Sequence, residues 1–585
     1  MYKTNKELAK IFDDMASIYR FHESGDRFRV IAYQNAARVI EHLTEDIHDF
    51  LEDDELENIK GIGEGIAAKI REYIKTGEIK KYEELKKEVP HDLVELLKIP
   101  GMGPETLKKL HKELEINTRE DLLEALDSGH IEELKGFGEK TVENLRQGLS
   151  QARKSSERIL LAEALEIVEE LRKALSGCTE IKKLEFAGSV RRMKETIGDV
   201  DILATAEKAD GEKVLDYFTS MPGIKKVLAR GDTKASVITE ERNLQVDMRL
   251  VNDNQWGAAL LYFTGSKNHN IHLRTIAKGR GYKINEYGLF ENRSGRKITG
   301  ETEEGIYRQL GLSWIPPEMR ENEGEIELAA RNKIPSLVEL NNIKGDFHLH
   351  SDWSDGMYSI EELATYVKKH YPYEFVVLTD HSKTSVIAGG LSEEEVEKQL
   401  KEIARINNNL GSDFIKAGIE VDILPDGTLD FEDDLLAQLD WVTASIHSRF
   451  NNDNTDRILM ACENPYVHAI SHPTGRLIGK RKEYPVDLKV VIQKAIETGT
   501  ALEINAQPIR MDLNAHWARM AQQEGAMLLI GTDSHDLMSF GYMKLGVAIA
   551  RRGWCTSKNI LNTKSWKKVL EFRDRKRKAK RHAKV

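Results

Sequence analysis

The feature that most constrains this chain is a series of short apolar segments in its second half, nearly all of which end in His, Asp or Glu. Between residues 340 and 570 the segments GDFHLH, FVVLTDH, FIKAGIEVDI, WVTASIH, HAISHP, ALEINA and LLIGTDSH alternate with helical stretches. This alternation predicts repeated strand–helix units and therefore a parallel sheet or barrel. Because active sites in such folds lie at the carboxyl ends of the strands, we expect these polar residues to form a functional site.

Nine side chains with metal-binding chemistry follow these predicted strands. His348 and His350 flank one residue, so both point to the same face of a strand. Neutral imidazole combined with carboxylate suits Mn²⁺, Zn²⁺ or Fe²⁺. Nine ligands exceed what one ion can use, so two or three ions are predicted, activating water for phosphate-ester hydrolysis. A lone strand-end histidine is more often satisfied by backbone, which is our interpretation of His370, His468 and His516. The nine predicted ligands are His348, His350, Asp355, His381, Glu420, His447, His472, Asp533 and His535.

A second pattern occurs three times in the first 150 residues, where the sequence is otherwise typical of helices. Each copy is an apolar–Gly–x–Gly turn followed by an amphipathic helix: IKGIGEGIAAKI, IPGMGPETLKKL and LKGFGEKTVENL. The glycines permit close backbone approach, and the following helix presents free amide groups to a phosphate. The pattern is similar to the helix-hairpin-helix element, which grips the DNA backbone; a plain helical repeat bundle is the alternative. The glycines expected to bind the backbone are Gly61, Gly63, Gly101, Gly103, Gly136 and Gly138.

A third pattern, FAGSVRRMKETIGDVDILATA, contains two aspartates separated by one residue in a strand-like run. Alternation along a strand places the carboxylates of Asp199 and Asp201 on one face. Asp247 lies in LQVDMRL, a second strand-like run. Adjacent carboxylates repel unless a cation lies between them, and Mg²⁺ prefers oxygen ligands that it shares with substrate phosphates. The three aspartates are therefore predicted to be catalytic and to form a two-metal site for phosphoryl transfer.

A glycine–serine turn about ten residues before the paired aspartates fits the same chemistry. The amides and hydroxyl of Gly188 and Ser189 could hold a triphosphate, with Arg192 as a cationic clamp. An isolated Asp-x-Asp sequence is common on solvated strand edges. The catalytic interpretation therefore depends on the turn and the third aspartate occurring together with the pair.

Together these residues resemble the nucleotidyltransferase superfamily, and the run LLYFTGSKNHNIHLRTIAKGRGYKINEYGLF narrows the resemblance to family X DNA polymerases, the polymerase beta group. The YFTGS stretch, with Tyr262, Phe263 and Gly265, resembles that family's wall beside the nucleotide sugar. By position, Asn270 resembles its minor-groove contact to the incoming nucleotide, and Arg274 its contact to the template strand. The resemblance covers residues 1–320 and implies a lyase-like subdomain, fingers, palm and thumb.

Some positions depart from that family. Lys267 stands where the vertebrate enzymes carry an acidic residue, and Gln245 stands where they carry Arg. In the first Gly-x-Gly element, Lys69 matches the family's Schiff-base lysine, which removes 5′-deoxyribose phosphate. Gly65 and Phe28 replace polar residues found near that lysine in the vertebrate enzymes. A Schiff-base lysine needs a pKa lowered by burial or by neighbouring cations, and fewer cations are expected near Lys69. A lyase role for Lys69 and a surface or phosphate-binding role are therefore both open.

The second half resembles a PHP domain (polymerase and histidinol phosphatase), with all nine positions of that family's trinuclear metal site filled. A family X polymerase followed by a PHP domain is typical of bacterial and archaeal DNA polymerase X. In that family the PHP half is linked to Mn²⁺-dependent 3′→5′ exonuclease and apurinic-site endonuclease activity. Arg449, Arg476 and Lys480 follow strand-end ligands and could hold DNA phosphate; ordinary surface charge is the alternative.

Composition is consistent with a multidomain protein of a reducing compartment. The 585 residues predict about four domains, and no apolar run approaches the ~18–20 residues of a membrane-spanning helix. Three widely spaced cysteines argue against a disulfide scaffold, and the N-terminus lacks the apolar core of a signal peptide. The net charge is −11, yet the last 22 residues hold eleven Lys or Arg and two acidic residues. This basic tail suggests contact with a polyanion or, alternatively, a disordered solubility tail.

The predicted fold class is multidomain: a helical helix-hairpin-helix N-terminal region, an α+β nucleotidyltransferase palm and thumb, and a distorted (β/α)7 PHP barrel. The expected boundaries are 1–85 for the lyase-like DNA-binding subdomain, 86–152 for the fingers, 153–255 for the palm, 256–320 for the thumb, 321–340 for a linker, 341–570 for the PHP domain and 571–585 for the basic tail.

The predicted function is a DNA polymerase that fills short gaps in base-excision-type repair, with a PHP 3′→5′ exonuclease or apurinic-site endonuclease. The alternatives are a PHP nuclease whose polymerase half only binds DNA, and a non-catalytic repair scaffold. We expect Mg²⁺ or Mn²⁺ in the polymerase site, and Mn²⁺, Zn²⁺ or Fe²⁺ in the PHP site. The expected partners are gapped or nicked duplex DNA and deoxynucleoside triphosphates, with no membrane, for a monomer in the bacterial cytoplasm at the nucleoid.

Overall fold

The chain divides into two compact units, Met1–Glu157 and Arg158–Val585. In the described residues, no helix is long and apolar enough to cross a membrane. The computed structural model describes residues 3–21, 27–41, 47–51, 55–59, 62–88, 96, 102, 104–132, 134, 137–138, 141–142, 145–146 and 158–583.

The described part of the first unit is helical, as the repeated amphipathic pattern predicts. Phe12, Leu107, Leu122 and Leu145 are completely buried in one hydrophobic cluster, although they come from distant parts of the unit. The regions expected as two subdomains, on either side of residue 85, therefore share one core. The helices are Lys3–Phe21, Arg27–Glu41, Glu55–Asn58, Glu64–Thr76, Lys80–Glu88, Pro104–Leu114 and Arg119–Asp127, with a 3₁₀ turn at Ile47–Phe50.

The second unit begins with a palm-like, five-stranded sheet. Its strand order is β2-β4-β7-β6-β5, in which only the central pair β4–β7 is parallel. Helices Leu161–Leu175 and Gly211–Ser220 bury their apolar faces against sheet residues such as Val200 and Val246. The strands of this sheet are β2 (Lys183–Phe186), β4 (Asp199–Thr205), β5 (Ile224–Arg230), β6 (Lys234–Thr239) and β7 (Gln245–Leu250), and β1 (Ile159–Leu160) and β3 (Thr196–Ile197) form a separate antiparallel pair.

A thumb-like segment follows, with a three-stranded antiparallel sheet of order β10-β9-β8. Its helices pack around a small separate core that includes Leu273 and Leu310. The strands are β8 (Tyr282–Asn285), β9 (Gly288–Glu291) and β10 (Lys297–Thr299), and the helices are Trp256–Thr264, Lys267–Gly279, Glu303–Gln309 and Glu325–Ala330.

Residues 321–340 were expected to be a linker, and the structure shows that they are folded onto the thumb-like segment. Ile326 is buried in the same cluster as Leu273. Glu325 is fully buried and is hydrogen-bonded to Nδ1 of His269 at 2.6 Å. The Pro- and charge-rich composition of this segment suggested a break between domains. Its apolar residues instead pack into the thumb core.

The rest of the unit is a seven-stranded parallel sheet with strands in chain order, β11 to β17. The sheet nearly closes, because the Asp533 amide donates to the His348 carbonyl and the His350 amide donates to the Ser534 carbonyl, each at 2.8 Å. The predicted distorted seven-stranded barrel is therefore confirmed. The strands are β11 (Gly345–Leu349), β12 (Phe375–Leu378), β13 (Ile415–Asp422), β14 (Trp441–Ser445), β15 (Ala469–Ile470), β16 (Ala501–Asn505) and β17 (Leu528–Gly531). The helices are Ile360–His370, Glu393–Leu410, Asp433–Leu436, Thr455–Glu463, Leu488–Thr498, Ala515–Glu524 and Met543–Arg552.

The C-terminal basic segment is a helix of the barrel and not a separate tail. Helix Trp566–Ala583 crosses the boundary expected at residue 571. Its Val569 and Phe572 are buried in one cluster with Trp441 of the barrel. The ammonium of Lys576 is also buried and donates to a backbone carbonyl and a threonine hydroxyl. Two apolar residues three positions apart thus dock a helix that is otherwise rich in charge.

Candidate active sites

The three aspartates of the palm-like sheet lie side by side. In the parallel pair β4–β7, Asp201 is directly opposite Asp247, and Asp199 is opposite Gln245. Asp199 is exposed, whereas Asp201 and Asp247 are half-buried. Gln245, one of the departures from the vertebrate sequences, donates from Nε2 to Oδ1 of Asp247 at 3.1 Å. The structure therefore brings the three predicted residues together at one end of the central strand pair.

The electrostatics of this cluster favour a cation. Burial, followed by the charges of Asp199 and Asp247, raises the pKa of Asp201 to about 7. Burial also acts to raise the pKa of Asp247, but hydrogen bonds from Ser236 and Lys234 outweigh it and hold that pKa below its usual value. Because burial and the neighbouring carboxylates together raise the pKa of Asp201 to near neutral pH, the site fits a divalent ion in place of the retained proton.

The glycine–serine turn contacts the same cluster. Gly188 has a φ of 62°, and a Cβ added there would lie 2.5 Å from Oδ2 of Asp201. Only glycine permits this approach without displacing the carboxylate. Ser189 is the next residue, in the short helix Gly188–Arg191, and the amide of Ala187 just before the turn donates to the Asp201 carbonyl at 2.8 Å.

Arg192, the predicted triphosphate clamp, is held by two partners within the protein. Its Nε lies 3.1 Å from Oε1 of Glu321, and its Nη1 donates to the carbonyl of Thr264. A Cβ added to Gly265 would lie 3.2 Å from Nη1 of Arg192. The guanidinium therefore links the Gly-Ser turn to the YFTGS segment.

The other predicted nucleotide and template contacts lie together. Tyr262, Asn270 and Arg274 line one small cleft. Asn270 donates from Nδ2 to the Tyr262 carbonyl at 2.7 Å, and the Tyr262 side chain is 39% exposed. Phe263 packs edge-on against the Tyr262 ring, with ring centroids 5.2 Å apart, and the Arg249 guanidinium lies 5.0 Å from the Phe263 ring. This packing fixes an aromatic surface beside the cleft.

In two of the three Gly-x-Gly turns the second glycine is described, and these two glycines have the same hydrogen-bond pattern. The Gly63 carbonyl accepts from the amides three and four residues later, at 2.8 and 3.0 Å, and the Gly138 carbonyl does so at 2.8 and 3.2 Å. A helical turn therefore begins directly after each glycine, as the phosphate-binding interpretation requires. Gly61, Gly101, Gly103 and Gly136 lie outside the described residues.

Lys69, the possible lyase residue, is half-buried on helix Glu64–Thr76. Its Nζ donates to the Gly65 carbonyl at 3.0 Å and lies 5.8 Å from the Tyr33 ring. Burial lowers the pKa of Lys69; the charge of Glu72 opposes this shift, and two neighbouring cations add to it. A lowered pKa is a requirement for a Schiff-base lysine, so the environment is compatible with that role.

In the second half, all nine predicted ligands lie at the carboxyl end of the barrel. His348 and His350 are at the end of β11, and Glu420 is within β13. Asp355 is in the loop after β11. The remaining five follow β12, β14, β15 and β17, and they are His381, His447, His472, Asp533 and His535.

Glu420 is the centre of one half of the cluster. Its Oε2 lies 3.0 Å from Nδ1 of His381 and 3.4 Å from Nε2 of His348. Its Oε1 lies 3.0 Å from Nε2 of His472 and 3.5 Å from Nε2 of His447. With Nε2 of His350 at 3.7 Å from Oε2, one buried carboxylate faces five imidazoles, which is the arrangement expected of a carboxylate that bridges metal ions.

Asp355 and Asp533 complete the other half. Oδ1 of Asp355 lies 3.2 Å from Nε2 of His535, and Oδ2 lies 3.5 Å from Nε2 of His381. Oδ1 of Asp533 lies 3.2 Å from Nε2 of His350. Three sets of ligand atoms that could each hold an ion overlap at shared residues: His350, Asp355, His381 and His535; His348, His350 and Glu420; and His381, Glu420 and His447.

The chemistry of these donors fits divalent metal ions. Nδ1 of His350 and Nδ1 of His472 are buried without a hydrogen-bond partner among the described residues. Burial lowers the pKa of His350 to about 3 and that of His472 to about 4, so both imidazoles are neutral. Burial acts to raise the pKa values of Asp355, Glu420 and Asp533, but neighbouring histidines outweigh it and hold them well below the usual value. Neutral imidazoles and ionised carboxylates are the forms that bind such ions.

The sequence interpretation missed Glu503, which lies behind this cluster. It is fully buried on β16, and its Oε1 is 2.7 Å from Nδ1 of His348. Its Oε2 accepts from the Ser471 hydroxyl at 2.6 Å and from the His472 amide at 2.8 Å. Burial acts to lower the pKa of His348, but Glu503 and two ligand carboxylates outweigh it and raise that pKa well above its usual value. A signal was present, because ALEINA was the only strand-like segment without an assigned ligand.

Asp422 has a corresponding relation to His447. Its Oδ1 lies 2.6 Å from Nδ1 of His447, which leaves Nε2 to face the cluster. Such outer carboxylates fix the tautomer and orientation of a metal-binding imidazole. Asp422 lies two residues after Glu420 in the same strand, and alternate residues of a strand share a face. The sequence could therefore have indicated that Asp422 lies near the cluster.

Arg476, considered as a DNA phosphate contact, is used within the fold. Its two terminal nitrogens lie 3.1 and 2.7 Å from the carboxylate of Glu195 in the palm-like part. Its Nε donates to the Arg510 carbonyl at 2.8 Å. The side chain is 12% exposed, so it joins the barrel to the palm-like part and has little surface left for DNA.

Comparisons with known proteins agree with this architecture. Sequence models of three families match the chain: DNA polymerase beta thumb at residues 259–321, helix-hairpin-helix domain at residues 3–79, and SAM-like helix-hairpin-helix tandem at residues 93–151. The DNA polymerase/3′-5′ exonuclease PolX of Bacillus subtilis is 42% identical over 573 residues, which cover 97% of this chain and 99% of that protein.

More distant similarity links the first half to eukaryotic proteins. DNA polymerase lambda of Rattus norvegicus is 24% identical over 331 residues, 52% of this chain and 54% of that protein. DNA polymerase lambda of Arabidopsis thaliana is 25% identical over 348 residues, 54% of this chain and 62% of that protein. The chain therefore belongs to the polymerase beta-like family X of DNA polymerases. The similarity to the Bacillus protein continues through the barrel, so the resemblance inferred from the sequence is confirmed over nearly the whole chain.

Proposed function

We propose that this protein is a DNA polymerase that fills short gaps in base-excision-type repair, and that its barrel is a metal-dependent 3′→5′ exonuclease. One observation carries the proposal. Two separate clusters of metal-binding side chains, one in the palm-like sheet and one in the barrel, occur in a chain that is 42% identical to a protein named for both activities. The overlapping ligand sets in the barrel support hydrolysis, and the three aspartates support nucleotidyl transfer.

In the polymerase site, Mg²⁺ or Mn²⁺ ions held by Asp199, Asp201 and Asp247 would stabilise the charge that develops during phosphoryl transfer. The chain's own groups position the reactants. Hydrogen bonds hold Asp247 ionised, so its carboxylate can draw the proton from the primer 3′-hydroxyl. The amides and hydroxyl of Gly188 and Ser189 would orient the triphosphate, a role supported by the close approach of Gly188 to Asp201.

The cleft beside this site is suited to the rest of the nucleotide. Arg192 would exchange the Glu321 carboxylate for a phosphate, since both are anions of similar geometry. The exposed ring of Tyr262 would offer a flat surface to the sugar; Phe263 packs edge-on against this ring, and Gly265 ends the helix that carries both aromatic residues. Asn270 would contact the minor-groove edge of the base and Arg274 the template strand; both residues line the same cleft as Tyr262.

In the barrel, Mn²⁺, Zn²⁺ or Fe²⁺ ions held by the nine ligands would polarise a phosphodiester for hydrolysis. Glu420 faces five of the imidazoles, and Glu503 and Asp422 would keep Nε2 of His348 and His447 facing inward. The same site would act as an apurinic-site endonuclease, because that reaction also cuts a phosphodiester.

The DNA substrate would be a gapped or nicked duplex gripped by the Gly-x-Gly turns, and deoxynucleoside triphosphates would be the second substrate. Each described turn places a helix start behind a glycine, which suits phosphate contacts without sequence readout. Lys69 would form a Schiff base with a 5′-deoxyribose phosphate end. We further propose that the protein acts as a monomer on chromosomal DNA in a bacterial cytoplasm.

The test is a gel assay with a 5′-labelled primer in a one-nucleotide gap, with Mg²⁺ or Mn²⁺ and with or without dNTPs. Asp247→Ala is expected to abolish extension and to leave nucleotide-free shortening intact. His348→Ala is expected to abolish shortening and to leave extension intact. Asp232→Asn and His370→Ala are matched controls, since both residues are exposed and neither lies in a cluster.

Three results would contradict this proposal. A wild type that shortens the primer but never extends it would reduce the polymerase half to a DNA-binding module. A wild type without either activity, although it contains bound metal, would favour a repair scaffold. Loss of both activities in each variant would argue against two independent sites.

A further inference from the structure

Arg510 is a cation at the edge of the barrel's metal-binding cluster that none of the steps above uses. It lies in the loop after β16, and its Nε is 3.6 Å from Oδ2 of Asp533. The other carboxylate oxygen of Asp533 faces His350 at 3.2 Å. The Arg510 side chain is 20% exposed, so the guanidinium lies between a metal-binding carboxylate and solvent.

The donors of this guanidinium are available. In the part of the chain that the structure describes, the Arg510 side chain has the Asp533 ion pair but donates no hydrogen bond. By contrast, Arg457, in the same barrel, directs its guanidinium to backbone carbonyls and an asparagine. An arginine with unused donors beside an anion-processing site is suited to an oxyanion ligand.

The loop that carries Arg510 is fixed on both sides. The backbone carbonyl of Arg510 accepts a hydrogen bond from Nε of Arg476. The Arg476 guanidinium is in turn paired with Glu195 of the palm-like part. The amide of Arg510 donates to the Gln507 carbonyl at 2.8 Å, and Nε2 of Gln507 donates to the Asp533 carbonyl at 2.6 Å. The backbone of Arg510 is therefore fixed relative to the ligand Asp533, and the guanidinium extends from a positioned anchor toward that ligand.

The guanidinium of Arg481 lies close enough to Arg510 for the two positive charges to repel each other. Arg481 stacks 3.8 Å from the Phe450 ring and donates from Nε to the Gly475 carbonyl at 2.9 Å. Burial, followed by the charge of Arg510, lowers the pKa of Arg481 to about 10. The acidic group that acts on Arg481 is Asp512, and the acidic group paired with Arg510 is Asp533. Cations held this close together favour an anion beside them.

We propose that Arg510 is a catalytic residue of the barrel and binds the phosphate of the phosphodiester that is cut, on the solvent side of the metal-binding cluster. The ligand class is the 3′-terminal phosphodiester of a DNA strand. The planar guanidinium can contact two phosphate oxygens at once, which a lysine cannot do. This inference rests on the proposed exonuclease function and adds a residue that the nine ligands do not include.

The experiment compares wild type with Arg510→Ala, Arg510→Lys and the control Arg405→Ala, whose side chain is 55% exposed on an outer helix. For shortening of a single-stranded oligonucleotide, Arg510→Ala is expected to lower kcat/KM about tenfold or more, because a charge-assisted contact is lost. Arg510→Lys should recover part of this loss. Metal content by mass spectrometry and gap extension should equal wild type in all variants.

A second readout does not depend on turnover. Phenylglyoxal should modify Arg510 in the free protein, and an oligonucleotide with an uncleavable 3′-terminal phosphorothioate should protect it, as peptide mass spectrometry would show. Arg405 should be modified equally in both samples.

The outcomes separate this inference from the function on which it rests. If wild type fails to shorten DNA, the proposed exonuclease itself is wrong. If wild type shortens DNA and Arg510→Ala does so equally well, only the role of Arg510 is overturned. If Arg510→Ala loses metal together with activity, Arg510 acts by supporting Asp533, which also overturns the proposal.

Discussion

Replacing Glu503 by glutamine tests whether the barrel ligands depend on an outer carboxylate. Oε2 of Glu503 accepts from the His472 amide at 2.8 Å, and a backbone N–H cannot become an acceptor. The glutamine oxygen must therefore occupy that position, and its NH₂ group must face Nδ1 of His348, which is 2.7 Å from Oε1 in the native protein. His348 would then carry its proton on Nε2, the atom that faces Glu420 and Asp533. That tautomer cannot bind a metal ion through Nε2.

The expected loss of metal affinity is about 10–100-fold, which corresponds to about 1.4–2.8 kcal/mol. The assay measures metal content after dialysis against graded chelator, together with nucleotide-free primer shortening and gap extension. Glu503→Gln should lose metal at lower chelator concentration and shorten the primer more slowly, with extension unchanged. Glu497→Gln, a change of the same kind at a side chain that is 65% exposed, should behave as wild type. Wild-type metal retention in Glu503→Gln would refute the reasoning.

Three further predictions concern the other sites. Gly188→Ala should abolish extension but not shortening on a primer gel, because the added Cβ would lie 2.5 Å from Oδ2 of Asp201; normal extension would contradict the role of that turn. Glu303→Gln should destabilise the protein by about 3–5 kcal/mol in urea unfolding at pH 7, since it leaves the fully buried Arg320 without its carboxylate. Burial acts to raise the pKa of Glu303, but Arg320 outweighs it and lowers that pKa; the stabilisation is thus fully present above about pH 4.3, the unfolded value, and should decline as the pH falls below it. Lys69→Ala should leave extension unchanged and remove the complex that borohydride traps with a 5′-deoxyribose phosphate end; undiminished trapping would exclude Lys69 as the Schiff-base residue.

The barrel cluster could be predicted from the sequence because the geometry of a parallel barrel gathers strand ends whatever the details of packing. His348 and Glu420 come from different strands, yet both reach the same cluster. The same reasoning correctly set His468 aside, since its Nδ1 accepts from the Val442 amide at 2.9 Å. Glu503 could not be assigned in this way, because its role depends on which side chain faces it across the barrel.

The palm-like cluster was predictable for a similar reason. Alternation along a strand placed Asp199 and Asp201 on one face, and the third aspartate needed only a neighbouring strand in register. The partners that tune Asp247 were not predictable. Lys234 and Ser236 come from β6, and sequence spacing does not reveal which strand lies beside β7.

The segment boundaries were the weakest predictions, because composition dominated them. Eleven basic residues in the last 22 suggested a tail, whereas burial of Val569 and Phe572 decides the structure. Residues 321–340 likewise have the composition of a linker, but Ile326 is 2% exposed and belongs to the thumb core. Two or three apolar side chains outweigh many charged ones when they meet a complementary surface, since burying each contributes roughly 1.5–3 kcal/mol.

The proposed function gives one chain two independent metal-dependent sites, one that extends a primer end and one that shortens it. The most direct measurement uses a gapped duplex whose primer ends in a mismatched nucleotide, with all four dNTPs and Mn²⁺, and reads the sequence of the extended product. Wild type should yield product in which the mismatch has been replaced. His348→Ala should yield product that retains the mismatch or stalls, and Asp247→Ala should yield only shortened primer. Replacement of the mismatch by His348→Ala would contradict the account, because correction would then not require the barrel.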